Sequence, residues 1–350
     1  MGKLLRLKQA GVLLLSAVLL LLTACSKKEV QDIPKATTDG WVRPAHFPEP
    51  VYRFGDNVYS KAGFELGRKL FFDPMLSRDG TISCASCHRQ KDAFADGGAA
   101  FSMGIDGGIS RRNSPVVFNM AWNKSFMWDG GVNHIEVMPL APLTNPAEMG
   151  DNIKNIVRKL NQHPEYPTLF RQVFNRDTVD DQQMFWALAQ YMSGLISANA
   201  KYDQNIKGTA SLTTDEQEGL TLFRQHCASC HSEPLFTDYS FQNNGIDHVF
   251  ADSGRYRITR NDEDWGRFKV PTLRNVTLSG PYMHDGRFNS LEEVLAHYAN
   301  GVQQSATLSP LLQKNGQPGL GLSDNEQQKI ISFLHTLTDE EFVSNPYLVE

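Results

Sequence analysis

Apolar residues recur at helical spacing in several separated stretches of the chain. Gly63 to Phe72 carries Phe64, Leu66 and Leu70 on one face, and Asp73-Pro74 should end it, because proline cannot continue the hydrogen-bond ladder. Asp151 to Phe174 reads as two helices broken near His163-Pro164, with His163 in a loop. Asp180 to Ala200 is a clearer helix: Met184, Leu188, Tyr191 and Leu195 recur at steps of four, three and four. Thr214-Asp215-Glu216-Gln217 has the form of a capping box, and Leu220, Phe223 and Cys227 continue one face behind it. Ser290 to Glu293 caps another helix. Ser323 to Glu326 caps the last one, whose stripe is Ile330, Phe333, Leu334 and Leu337. Between these stretches lie long segments without periodicity, such as the glycine-rich Gly97 to Gly108. The expected class is mostly α with long irregular loops.

The first residues have a different character. Lys3, Arg6 and Lys8 precede an apolar run from Gly11 to Leu22, too short to span a bilayer comfortably and right for a signal peptide. Leu22-Thr23-Ala24-Cys25 resembles the bacterial lipoprotein box, in which the cysteine is lipidated and becomes the new N-terminus. The expectation is therefore a signal over 1–24 and a polar tether over 25–45. The exported protein would be held by Cys25 on the periplasmic face of a membrane. The formal charge of −5 and the lack of a basic patch argue against a nucleic-acid partner.

The chemistry is concentrated in one pentapeptide that occurs twice, Cys84-Ala85-Ser86-Cys87-His88 and Cys227-Ala228-Ser229-Cys230-His231. In a C-x-x-C-H run the two thiols bond covalently to a haem edge and the histidine ligates its iron. Two cysteine pairs could instead form a zinc site or a redox dithiol. Zinc, however, needs no histidine directly after each pair, and its pairs usually lie much closer in sequence. The chain has five cysteines, so these four and Cys25 leave none for a structural disulfide. Two covalently bound haem c groups follow, one in each half, with a helix delivering Cys227. The halves, 46–208 and 209–350, each set an apolar helix ahead of the same motif, which suggests an ancient duplication. Lys207-Gly208-Thr209-Ala210 is the expected boundary. His226 is expected on the solvent side of its helix.

Further motifs, in order, are LFFDPMLSRDGTISCASCH, AFADG, RRNSPVVFN, FMWDG, NPAEM, VPTLRNV and PYMHDGRF. Together they resemble the bacterial di-haem cytochrome c peroxidases, a family that includes the methylamine-utilisation enzyme MauG, over about residues 50 to 345. The resemblance implies two cytochrome c-like haem domains, with the His88 haem as the peroxidatic one. It implies hydrogen peroxide as oxidant and a cytochrome c or other small redox protein as electron donor, and it is compatible with a homodimer. Glu148 matches the family's distal acid, whose task is to carry a proton between the two peroxide oxygens. Taken alone, it would read as a helix first-turn acid. Trp128 matches the tryptophan between the haems. The family's distal histidine falls at Ile105, which cannot ligate iron, and its distal glutamine falls at Met138. Ile105 would leave the first haem open when fully oxidised, as in MauG.

The second haem's far ligand falls at Tyr298, where the peroxidases have methionine and MauG has tyrosine; Met283 and His297 are rivals. An anionic tyrosine would favour ferric and higher states. Arg274 is expected to pair with a haem propionate. Asn113, with the backbone of Ser279 and Pro281, matches an inter-domain calcium site, calcium being an oxygen-binding ion. Three functions remain open at this point: a peroxidase, a MauG-like enzyme that oxidises a protein side chain, and a di-haem electron carrier without peroxide chemistry.

Overall fold

A computed structural model describes residues 40–350; the expected signal, Cys25 and most of the expected tether lie outside them. The described residues form one compact unit. It is mostly helical, as expected, with two short two-stranded sheets.

The first half is built on α1 (Lys61–Phe72) and α4 (Asp181–Gly194), with α2 (Ile153–Gln162) and α3 (Tyr166–Phe174) between them in sequence. Ser60 caps α1 by accepting from the Gly63 amide, and Asp73 ends it where the proline was expected to. The break between α2 and α3 falls at His163, as the sequence indicates. The helix expected over Asp180 to Ala200 stops instead at Gly194. From Leu195 the backbone is taken over by Asn119: its amide donates to the Leu195 carbonyl, and its side chain both donates to Ser197 O and accepts from Ser197 N. Tertiary hydrogen bonding here overrides helical periodicity.

The second half repeats the plan with α5 (Thr214–His226) and α7 (Asp324–His335), with α6 (Leu291–Ala296) between them in sequence. The α5 cap is Thr213 with Glu216, one residue earlier than the sequence pattern suggested. In both halves the helix pair crosses at a glycine. A Cβ on Gly67 would stand 2.0 Å from the Ala187 carbonyl oxygen, and one on Gly219 would stand 1.9 Å from that of Lys329. Two hydrophobic clusters result. One gathers Leu66, Leu70, Trp122, Phe170 and Tyr191; the other gathers Leu220, Phe223, Phe236, Phe333 and Leu337. The strands β1 (Phe241–Gln242) and β2 (Phe268–Lys269) pair antiparallel, and the Lys269 amide donates to the Trp128 carbonyl at 2.8 Å.

Candidate haem sites

The two CASCH segments are built alike. Cys84–Cys87 is a single helical turn directly after Ser83, and the His88 amide closes on the Cys84 carbonyl at 3.0 Å. The His231 amide closes on Cys227 in the same way at 2.9 Å. His88 Nδ1 lies 2.9 Å from the carbonyl of Phe94. His231 Nδ1 lies 3.1 Å from the carbonyls of Phe236 and of Pro271. Phe94 and Phe236 both sit at positive φ, 56° and 54°, which aims their carbonyls at the rings. A histidine whose Nδ1–H is donated to a carbonyl presents an unprotonated Nε2, the form that binds iron. Burial lowers the pKa of both imidazoles and so also favours the neutral ring. All four motif thiols are free. Among the described residues no three His, Cys, Asp or Glu side chains converge on one point, so the cysteine pairs do not assemble a zinc site. The donor set, two thiols and one available Nε2 at each site, fits haem c.

Beside the second motif lies a cavity of about 250 Å³, bordered by Cys227, Cys230, His231 and α7. Tyr298 and Met283 both line it, whereas His297 turns away and bonds the Asn244 carbonyl through Nε2 at 3.0 Å. That geometry removes His297 as a rival ligand. Asn244 also borders the cavity, with its Nδ2 3.2 Å from Met283 Sδ. Burial pushes the Tyr298 hydroxyl up to about 12, and the nearby Asn244 amide works against that rise. Tyr298 sits in the widened turn His297–Gly301 that continues α6, a backbone form common at functional sites. His226 borders the cavity and is half-buried, not on the solvent side as expected, because α5 ends there and turns its last residue inward.

Trp128 lines the same cavity and donates from Nε1 to the Asn113 carbonyl at 2.8 Å. Asn113 is buried. Its side-chain amide donates to the Ala99 and Ala100 carbonyls, which orients the Oδ1 away from them. Ser279 and Pro281 border the cavity with it.

At the first site, Glu148 is half-buried and Asn145 Nδ2 donates to its Oε1 at 2.7 Å. Burial raises the Glu148 pKa above the ordinary value, against the pull of that bond. Glu148 is within electrostatic reach of Cys87: burial above all raises that thiol, and Asp96 and Glu148 add to the rise. The Ile105 amide donates to the Glu148 carbonyl at 2.8 Å, and the Ile105 side chain is buried. Met138 packs partly buried against the first hydrophobic cluster.

Arg274 is corrected. It does not border the cavity: its Nη1 and Nη2 grip Asp203 at 2.8 and 2.7 Å, its Nε donates to Pro234 O, and both charged side chains are fully buried. Its charge is spent on a partner 71 residues away, which no local pattern announced.

The site repeat runs deeper than the pentapeptide. Met127-Trp128-Asp129-Gly130 and Met283-His284-Asp285-Gly286 are matching turns, each with its methionine at positive φ. Phe126 bonds Val132 and Tyr282 bonds Phe288 at 2.7 Å. Lys269 and Asn244 went unnoticed in the sequence. Lys269 borders the cavity, burial lowers its amine to about 8, and it donates to Ser125 O at 3.0 Å. The signal for it was its position two residues before Pro271, in the stretch that repeats Asn113-Ser114-Pro115.

Comparison with known proteins agrees with this geometry. Residues 61–211 match the family model described as di-haem cytochrome c peroxidase. The chain is 34% identical to a methylamine utilization protein MauG from Methylorubrum extorquens, over 91% of this chain and 88% of that one. This chain belongs to the di-haem cytochrome c peroxidase family. It is 32% identical to a cytochrome c551 peroxidase of Nitrosomonas europaea, over 79% of this chain and 80% of that one. A solved MauG-like protein associated with microbial copper homeostasis superposes with a TM-score of 0.78 at 30% identity, covering 88% of this chain and 98% of that one. The family carries two haem c groups and its members are oxidoreductases.

Proposed function

We propose that this chain reduces hydrogen peroxide to water at the His88 haem, with electrons from a cytochrome c or similar carrier that enter at the His231 haem. The observation that carries the reading is the half-buried carboxylate of Glu148, held by Asn145 beside buried Ile105. Haem iron supplies the centre that binds peroxide and accepts its oxidising equivalents. Glu148 takes the proton from the inner peroxide oxygen and returns it to the outer one, and its raised pKa suits both directions of transfer. Asn145 fixes which carboxylate oxygen is free to do so. Trp128 borders the second haem cavity, and its fixed indole is the path by which an electron crosses to the first half.

Buried Ile105 beside Glu148 supports a first haem that is open without prior reduction. Asn113 Oδ1 with the carbonyls of Ser279 and Pro281 supplies a calcium site of neutral oxygens against the second haem cavity. The first 25 residues support export and anchoring through Cys25 on the periplasmic face of a membrane. The protein-oxidising alternative draws on one specific observation, that Tyr298 borders the second haem cavity.

Steady-state oxidation of reduced cytochrome c by peroxide, started from all-ferric enzyme, tests the reading. Turnover without a lag is expected. If peroxide alters the haem spectra but no small donor is consumed, the protein-oxidising function gains; if the spectra do not change, the chain is an electron carrier.

A further inference from the structure

We propose that Tyr52 is redox-active: its ring gives one electron to the first haem site along a ladder of stacked aromatic side chains, and its phenolic proton passes to Glu136. The proposal rests on the reading above, in which peroxide leaves its oxidising equivalents at the His88 haem.

The ladder starts at the iron ligand. The His88 ring centroid is 6.3 Å from that of Phe71, and Phe71 is 5.0 Å from Tyr191. Tyr191 is 5.2 Å from Phe64, and Phe64 is 6.3 Å from Tyr59. Phe54 follows at 5.8 Å and Tyr52 at 4.9 Å. Every step falls within the roughly 4.5–7 Å centroid range over which aromatic rings interact. The tyrosines, whose rings are easier to oxidise, are stations, and the phenylalanines bridge them.

The hydroxyl partners decide where the oxidation comes to rest. A phenol that loses an electron becomes strongly acidic, so a lasting oxidation needs a base at the hydroxyl. Tyr191 donates to the Leu348 carbonyl at 2.7 Å, a neutral oxygen that cannot keep a proton. Trp41 branches off Phe54 at 5.1 Å, but its Nε1 also ends on a carbonyl, that of Ser193. Tyr52 alone on the ladder donates to a carboxylate, Glu136 Oε1, at 2.6 Å. The other carboxylate oxygen accepts from Trp186 Nε1 at 3.1 Å. Asn57 Nδ2 donates to the Tyr52 oxygen at 3.0 Å and can keep that bond after the proton has left. Tyr52 is buried, so its oxidised ring would be shielded from solvent. Burial, and then the Glu136 bond, raise the Tyr52 hydroxyl pKa, so the phenol keeps its proton at rest.

The balance closes. Peroxide withdraws two electrons from the first haem site as its O–O bond breaks. Tyr52 returns one of them, its O–H bond breaks, and Glu136 gains the proton. The second electron comes from the ordinary donor. When donor is scarce, Tyr52 draws one oxidising equivalent away from the haem and stores it near the N-terminal end of the described chain.

The test mixes all-ferric holoenzyme with peroxide and no donor, freezes it within milliseconds, and records visible and electron paramagnetic resonance spectra on the same samples. The wild type should show altered haem bands and a tyrosyl signal. Tyr52→Phe should lose that signal but keep the altered haem bands and its turnover with donor. Glu136→Gln should lower the signal severalfold. A Tyr52→Phe protein that keeps the signal, or a wild type with altered haem bands and no signal, overturns the proposal and leaves the peroxidase reading standing. Unaltered haem bands overturn both. Tyr52→Phe removes a single hydroxyl, so it decides the matter even if Glu136→Gln does not fold.

Discussion

Two residues in one turn set the chemistry expected at the first haem. Glu148 acts as a base only when ionised, and burial raises its pKa above the 4.5 of an exposed glutamate. Peroxide cleavage should therefore fail on the acid side at a higher pH than an exposed carboxylate would give. Asn145 works the other way, because its amide favours the ionised form. Asn145→Ala should move the acid limb of the rate to still higher pH, and Glu148→Gln should lower the rate about a hundredfold or more while both haems stay bound. Rapid-mixing spectra across pH read both effects; an acid limb that does not move in Asn145→Ala sinks the assignment. The haem attachments were legible because covalent attachment needs fixed neighbours in sequence. Asn244, Glu136 and the true partner of Arg274 were not, because each meets its partner across 39 to 84 residues, where no spacing rule applies.

At the scale of elements, each half depends on two helices brought together by a glycine. The backbone of α4 lies against Gly67, and that of α7 against Gly219, so the obstacle to a larger residue is a carbonyl rather than a side chain that could swing aside. Gly67→Ala and Gly219→Ala should each destabilise the fold by about 1–3 kcal/mol or more. Thermal unfolding of the haem-loaded protein measures it, and an unchanged midpoint in either variant would mean that the helices separate freely. Periodicity showed these helices, and capping residues placed most of their starts. It overran the end of α4 because Leu195 and Ser197 suit a helix face locally, and only the distant Asn119 makes them extended. The same limit hid the deeper repeat. Asn275 plays Asn119's part in the second half, taking the Leu337 carbonyl and bonding Ser197 Oγ, and both sit at positive φ.

In the whole molecule the last residues pack into the first half, and the first described ones join Asp203, the carboxylate that holds Arg274 of the second half. Phe342 packs into the first hydrophobic cluster, and Gln90 donates to its carbonyl at 3.0 Å. At the other end, His46 Nε2 lies 2.9 Å from Asp203 Oδ1, on the carboxylate that Arg274 grips. Asp203 and Arg274 are both fully buried, so removing one charge strands the other; Asp203→Asn should cost about 3–5 kcal/mol. The join is also sensitive to acid. Burial lowers the His46 pKa below 6.5 against the attraction of Asp203, and Arg274 with His46 holds Asp203 below 3.8 against its own burial. Both groups bind protons less readily folded than unfolded, so both stabilise the fold at neutral pH and lose that contribution as pH falls. The His46 part begins to go as pH drops below about 6.5, well before the Asp203 part. Urea midpoints should therefore fall between neutral and mildly acid pH, and fall less in His46→Gln, whose amide still donates to Asp203 but does not titrate. Identical pH profiles for the two proteins would show that His46 is not the group that makes this join acid-sensitive.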